Sequence, residues 1–178
     1  MVIARNSRPC QSHWLKLATE QEWIVLATIK SILGLNAQHV AETSPLDRAR
    51  MEAMLGMAFW WEAPGDAPDA LLIAFDQNAA YDGTNFVWFK ARHQRFVYVD
   101  RIIVAAHARG RGLARQLYER LEQKARKAGH DRIVCEINLE PANPSSIAFH
   151  DALGFVEVGQ ARLANGKLVS YREWLIAA

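Results

Sequence analysis

The chain has 178 residues, 51% of them hydrophobic and 22% charged, with a formal net charge of +2 and a sequence pI near 8.6. These are ordinary globular values, and so mild a basic balance argues against nucleic acid or an anionic membrane as partner. No apolar run approaches the roughly 20 residues that cross a bilayer, the first residues lack the pattern of a secretory leader, and the only two cysteines, Cys10 and Cys135, predict free thiols in a reducing cytoplasm.

Residues 1–12 are polar and aperiodic and read as a flexible N-terminus, leaving 13–178 as one domain. His13 to Ala18 fits a short strand. Thr19-Glu20-Gln21-Glu22 is a capping box for a helix running to about Leu33, where Gly34 offers a left-handed stop. Ser44-Pro45 predicts a second helix, capped by serine and carrying Met51, Met54, Leu55 and Ala58 at helical spacing. Phe59 to Trp61 and Leu71 to Phe75 read as strands on either side of a Pro/Gly-rich loop.

Residues 77–95 are the least regular stretch. Phe86, Trp88 and Phe89 fit a short helix capped by Thr84. Phe96 to Val104 is rich in β-branched and aromatic residues and reads as a strand. From Gly112 to Ala128, Leu113, Leu117 and Leu121 recur every four residues, the stripe of an amphipathic helix that Gly129 can end. A strand from Arg132 to Leu139, a helix opening at Asn143, and a hairpin around a two-residue Asn165-Gly166 turn complete the chain. The order β-α-α-β-β-β-α-β-α-β-β predicts an α+β fold with a mixed, mostly antiparallel sheet. Its parallel crossover lies around residues 96–139.

The chemistry concentrates at Arg109-Gly110-Arg111-Gly112-Leu113-Ala114, between a strand and a long helix. Glycine allows close approach and positive φ. The first amides of a helix lack internal partners and sit at its positive end, so this turn can hold a diphosphate, with Arg109, Arg111 and Arg115 around it. The Lys-Ser/Thr ending of a Walker loop and the third glycine of a dinucleotide fingerprint are absent. No His, Cys or Asp cluster has metal-ligand spacing, so no metal is expected.

At these residues the sequence resembles the GNAT superfamily of CoA-dependent N-acyltransferases. Its R/Q-x-x-G-x-G/A motif is matched by Arg109, Gly112 and Ala114, following a strand that ends at Val104. A second signature is matched by Asn143 at a helix start and by Gly154-Phe155. Leu15 to Thr19 resembles the family's first strand and helix cap. The resemblance implies a split between two central parallel strands and acetyl-CoA as cosubstrate. The edge of Ile102, Ile103 and Val104 would pair with the pantetheine arm. The amides of Gly110, Arg111, Gly112, Leu113, Ala114 and Arg115 would hold the diphosphate, and Asn143 would bond the arm from the other side. An acceptor amine, on a small molecule or a peptide, would attack the thioester directly through a tetrahedral intermediate, its oxyanion held by a strand amide.

Where the family carries a tyrosine that protonates the departing thiolate, this chain has His150. A histidine can serve as that acid, and so can water. The family's usual glutamate position holds Asn138, leaving Glu136, Asp100 and Glu140 as candidate bases. Tyr81, Phe86, Trp88, Phe89 and Tyr98 either roof an acceptor pocket or form a small satellite core. The alternative to an N-acetyltransferase is a non-catalytic acyl-CoA-binding or sensing module. A nucleic-acid binder built on Arg109, Arg111, Arg115 and Arg120 is disfavoured by the interspersed Glu119 and Glu122. The terminal hairpin offers a sheet edge through which a homodimer could pair.

Overall fold

A computed structural model describes residues 20–65 and 67–176, with side chains from residue 28 onward. The strand expected at His13 to Ala18, the Thr19 cap, the flexible stretch 1–12 and Cys10 lie outside the described residues.

The helices are α1 (Glu20–Ala37), α2 (Arg48–Met57), α3 (Thr84–Lys90), α4 (Leu113–Lys127) and α5 (Pro144–Asp151). The strands are β1 (Trp60–Glu62), β2 (Ala70–Asp76), β3 (Val97–Val104), β4 (Arg132–Glu140), β5 (Val156–Arg162) and β6 (Leu168–Leu175). A 3-10 turn at Ala106–Ala108, which no sequence signal marked, leads from β3 toward α4. The sheet order is β1-β2-β3-β4-β6-β5. Among the described residues, only β3 and β4 pair in parallel; the other pairs are antiparallel. The mixed, mostly antiparallel α+β sheet is therefore as the sequence predicts.

The apolar strand β2 sits inside because both its faces are covered. Leu71, Ile73 and Phe75 join a core with Ile29, Ile32, Met51, Met54, Phe86 and Phe89 on one side. Ala70, Leu72 and Ala74 join Leu117, Tyr118, Leu121 and Ala125 of α4 on the other. The period-2 alternation of a strand thus feeds two layers at once.

Several local expectations are corrected. Helix α1 runs through Gly34 to Ala37. Leu35 is buried in the core and Asn36 is bonded to Arg101, and these contacts outweigh the weak helix propensity of glycine. Ser44 does not cap α2. Its carbonyl and hydroxyl accept from Arg101, and Asp47 caps instead, its Oδ1 accepting from Arg50 N at 2.7 Å. Gly83, not Thr84, is the residue flanking α3. The β5–β6 turn has three residues rather than two: Leu163 N donates to Lys167 O at 2.8 Å, and Gly166 takes φ 86°.

Candidate active site

The split in the sheet has a visible cause. β3 and β4 share three rungs, the last being Val99↔Cys135. The next residue of β3, Asp100, has no partner on β2, where Ile73 faces Arg101 and Ala74 faces Val99. Asp100 is therefore the extra residue of a β-bulge, which bends its strand and re-aims the side chains beyond it. Glu136 follows Cys135 on β4. The two carboxylates are the first residues past the last rung, one on each lip of the opening.

Two cavities meet there. One, of about 500 Å³, runs along Ile102, Ile103 and Val104 to Arg109, Gly110, Gly112, Leu113, Ala114 and Arg115. The other, of about 210 Å³, contains Tyr81, Tyr98, Asp100 and Glu136. Glu42, Thr43, Ile102, Asn143, Ser146 and His150 line both.

The far end of the larger cavity is built from backbone. Gly110 and Gly112 take φ 78° and 76°, left-handed values that fold the chain tightly into α4. Gln116 N is the first α4 amide to reach a carbonyl, that of Gly112 at 3.0 Å. Among the described residues, the amides of Leu113, Ala114 and Arg115 donate to no protein acceptor. They point outward at the positive end of a 15-residue helix. Arg109 stays exposed beside them, its Nε at 3.5 Å from Val104 O. Arg111 does not line the cavity and sits 3.9 Å from Asp69. This donor set suits a diphosphate.

The smaller cavity is a carboxylate site. Tyr98 donates its hydroxyl proton to Glu136 Oε2 at 2.8 Å. Burial raises the Glu136 pKa to about 7, and the nearby Asp100 charge adds to the shift; hydrogen bonds from Tyr98 and Asn85 pull the other way. Asp100 is committed differently. Tyr81 donates to its Oδ1, and Arg101 Nε lies 2.9 Å from its Oδ2. That contact is close but poorly aligned, so Oδ2 has no true hydrogen bond. Burial raises the Asp100 pKa, opposed chiefly by Arg101. Arg101 is itself only 4% exposed and also grips Asn36 and Ser44.

His150 is 2% exposed. Its Nδ1 faces the carbonyl of Ser146 at 2.8 Å, an atom that can only accept, so Nδ1 carries the proton. Its Nε2 then accepts from the Tyr118 hydroxyl at 2.8 Å. Burial lowers the imidazole pKa to about 4. In this arrangement both ring nitrogens are engaged, Nδ1 with Ser146 and Nε2 with Tyr118, and Nε2 carries no proton near neutral pH. Asn143 caps α5, its Oδ1 accepting from Ser146 N at 3.2 Å.

The sequence matches the model of the acetyltransferase (GNAT) family over residues 38–155. The chain belongs to the GNAT family. It is an acyl-CoA-dependent N-acetyltransferase by family. The Ard1 structure from Thermoplasma volcanium is similar, with a TM-score of 0.67 at 11% identity, covering 85% of this chain and 93% of that one. The NatC complex bound to Gag peptide and CoA gives 0.64 at 15% identity, covering 85% and 92%. The yncA protein of Salmonella typhimurium with its cofactor acetyl-CoA gives 0.55 at 20% identity, covering 92% and 93%. At such identities the likeness is one of fold. No curated protein matches the sequence.

In this GNAT chain, Tyr81 and Tyr98 line the smaller cavity, but Phe86, Trp88 and Phe89 do not. Phe86 and Phe89 are fully buried in the core, and Trp88 stacks on Tyr171 at 3.9 Å, because the side chains of α3 are needed to cover the sheet. Glu140 leaves the site to pair with Arg162 on the surface. Sequence reasoning missed Tyr118, Ser146, Asn85 and Lys167. A tyrosine beside Leu117 on the buried face of α4 was a signal for the first; the others carried none. Among the described residues there is no group of metal-ligating side chains, and no helix is long and apolar enough to cross a membrane.

Proposed function

We propose that this protein acetylates a primary amine, with acetyl-CoA as the acetyl donor. The observation that carries the reading is the meeting of two cavities in the β3/β4 split, one ending on unpartnered helix amides and the other on Glu136. The residues present fit the cosubstrate. The amides of Leu113, Ala114 and Arg115, with Arg109 and Arg115 beside them, would hold its diphosphate. Ile102 to Val104 pair with β2 on one edge only, and their other edge, past the last β4 rung, would take the amide groups of its pantetheine arm. Bound there, it supplies an activated acetyl group.

Glu136 acts as the base. An amine reaching this pocket as an ammonium must lose a proton before it can attack, and a carboxylate titrating near 7 can take it. The N–C bond forms, the C–S bond breaks, and solvent protonates the departing thiolate. Asp100 is a positioning residue that holds Tyr81 and Arg101. His150 is another, fixing Ser146 and Tyr118 where the cavities join. Glu136→Gln is expected to lower kcat/KM by about 10²–10⁴-fold and to remove the pH limb near 7, read by thiol release with an amine panel. An unaltered profile contradicts the role.

The neutral, fully engaged His150 favours one second reading, an acyl-CoA-binding module with no proton donor of its own. Acetyl-CoA uptake without amine-dependent thiol release would support that module.

A further inference from the structure

The loop between α1 and α2 forms one wall of the smaller cavity, and it is held unusually firmly for a surface loop. Four consecutive carbonyls in it accept from side chains. Lys167 Nζ donates to Ala41 O and Thr43 O, both at 3.2 Å. Asn138 Nδ2 donates to Glu42 O at 3.3 Å. Asn36 Nδ2 and Arg101 Nη1 donate to Ser44 O at 3.1 and 3.3 Å. These donors come from α1, β3, β4 and the β5–β6 turn, so the loop is a wall rather than a flap.

Of these donors, Lys167 comes from the end of the β5–β6 turn and lines the cavity. It bridges the gap between that turn and the loop. An extended chain entering the cavity through this gap would have to break both lysine contacts. The smaller cavity, which joins the larger one, holds about 210 Å³, below the roughly 300–1,000 Å³ of sites for drug-sized ligands. Its walls are polar, with the amides of Asn85, Asn138 and Asn165 among them. Three carboxylates (Glu42, Asp100 and Glu136) face two cations, Arg101 and Lys167. With all five groups ionised, the balance is one negative charge, which a monocation would match.

We propose that the acceptor is a small polar primary amine carrying a single positive charge, and that Lys167 closes its pocket against polypeptides. The assignment rests on the reading of the protein as an acetyl-CoA-dependent acetyltransferase. It deepens that reading by naming the acceptor class.

The test compares two acceptor sets on the full chain: amino alcohols and amino sugars against unstructured hexapeptides with free N-termini. Thiol release and product mass are read together. The wild type is expected to acetylate members of the first set and to leave the peptides. Lys167→Ala is expected to raise the peptide-to-small-amine ratio of kcat/KM by roughly tenfold or more, about 1.4 kcal/mol of discrimination. Lys167→Arg, which keeps a donor across the gap, should restore the ratio. Circular dichroism of each variant checks its fold, and Lys167→Met provides a second removal of the ammonium.

Hexapeptides acetylated by the wild type as efficiently as small amines would overturn the proposal. So would an unchanged ratio in folded Lys167→Ala and Lys167→Met, or a preparation that binds acetyl-CoA and acetylates neither set. Calorimetry on the same preparation separates the two levels: absence of acetyl-CoA binding defeats the acetyltransferase reading itself, and the acceptor assignment with it.

Discussion

The Tyr118 hydroxyl donates to His150 Nε2 at 2.8 Å, and it does so because His150 Nδ1 is already committed to the Ser146 carbonyl at 2.8 Å. The pair links α4 to the last turn of α5, beside the junction of the two cavities. His150→Phe would leave the buried Tyr118 hydroxyl unsatisfied, and the expected cost is about 1–3 kcal/mol in urea unfolding. As a positioning residue, His150 should affect kcat by less than the roughly 10²-fold that marks a proton-transfer group, and the variant's pH–rate profile should keep its shape. A lost limb in that profile would return His150 to the chemistry.

Glu136 and His150 pull the pH dependence of stability in opposite directions. The Glu136 pKa is raised from 4.5 to about 7 in the fold, so the native state keeps a proton that the unfolded chain releases. Its contribution therefore declines as pH rises from 4.5 through 7. The His150 pKa is lowered from 6.5 to about 4; its contribution is present above 6.5 and declines as pH falls toward 4. Between about 4.5 and 6.5 the two slopes offset each other. Glu136→Gln should then be more stable than the wild type at pH 8, by at most about 3 kcal/mol, with little gain at pH 4.5. Equal gains at both pH values in urea titrations would contradict this.

Arg101 is expected to be the most sensitive position of the acceptor side. Its guanidinium faces Asp100 at 2.9 Å and binds Asn36 and Ser44, all in a nearly dry environment. Arg101→Met removes one partner of a buried pair, a change that typically costs about 3–5 kcal/mol. Asp100→Asn with Arg101→Met should recover part of the loss. A double variant no better than the single one would show that Asp100 is not the group left uncompensated.

Gly112 tests the backbone of the turn. It sits at φ 76° with only Gln116 Nε2, at 3.9 Å, near the position of an added Cβ. Gly112→Ala should therefore cost about 1–2 kcal/mol through the left-handed conformation alone, read as a lowered Tm. A variant as stable as the wild type would mean that the turn relaxes to another conformation.

The parts of this fold that are legible in the sequence are those specified locally. The leucine stripe of α4, the β-branched run of β3 and the asparagine-proline start of α5 each declare their element without help from the rest of the chain. The GNAT motifs mark the glycine turn before α4 and the start of α5 for the same reason. What is not legible depends on partners distant in sequence. The bulge at Asp100 exists only in the register of β3 against β2. Ser44 resembles a helix cap until Arg101, 57 residues away, takes its hydroxyl. Phe86 and Phe89 resemble pocket aromatics until the sheet they cover is seen. The engagement of His150 is hidden in the same way, because Tyr118 is brought to its Nε2 only by the packing of α4 against α5.

Calorimetric titration of the full chain with acetyl-CoA asks whether the amides opening α4 hold its diphosphate. One acetyl-CoA is expected to bind per chain, and Gly112→Asp, which sets a negative charge at the positive end of the helix, is expected to abolish the heat while the variant stays folded. No binding by the wild type at millimolar acetyl-CoA, or undiminished binding by a folded Gly112→Asp, would contradict this role for the amides.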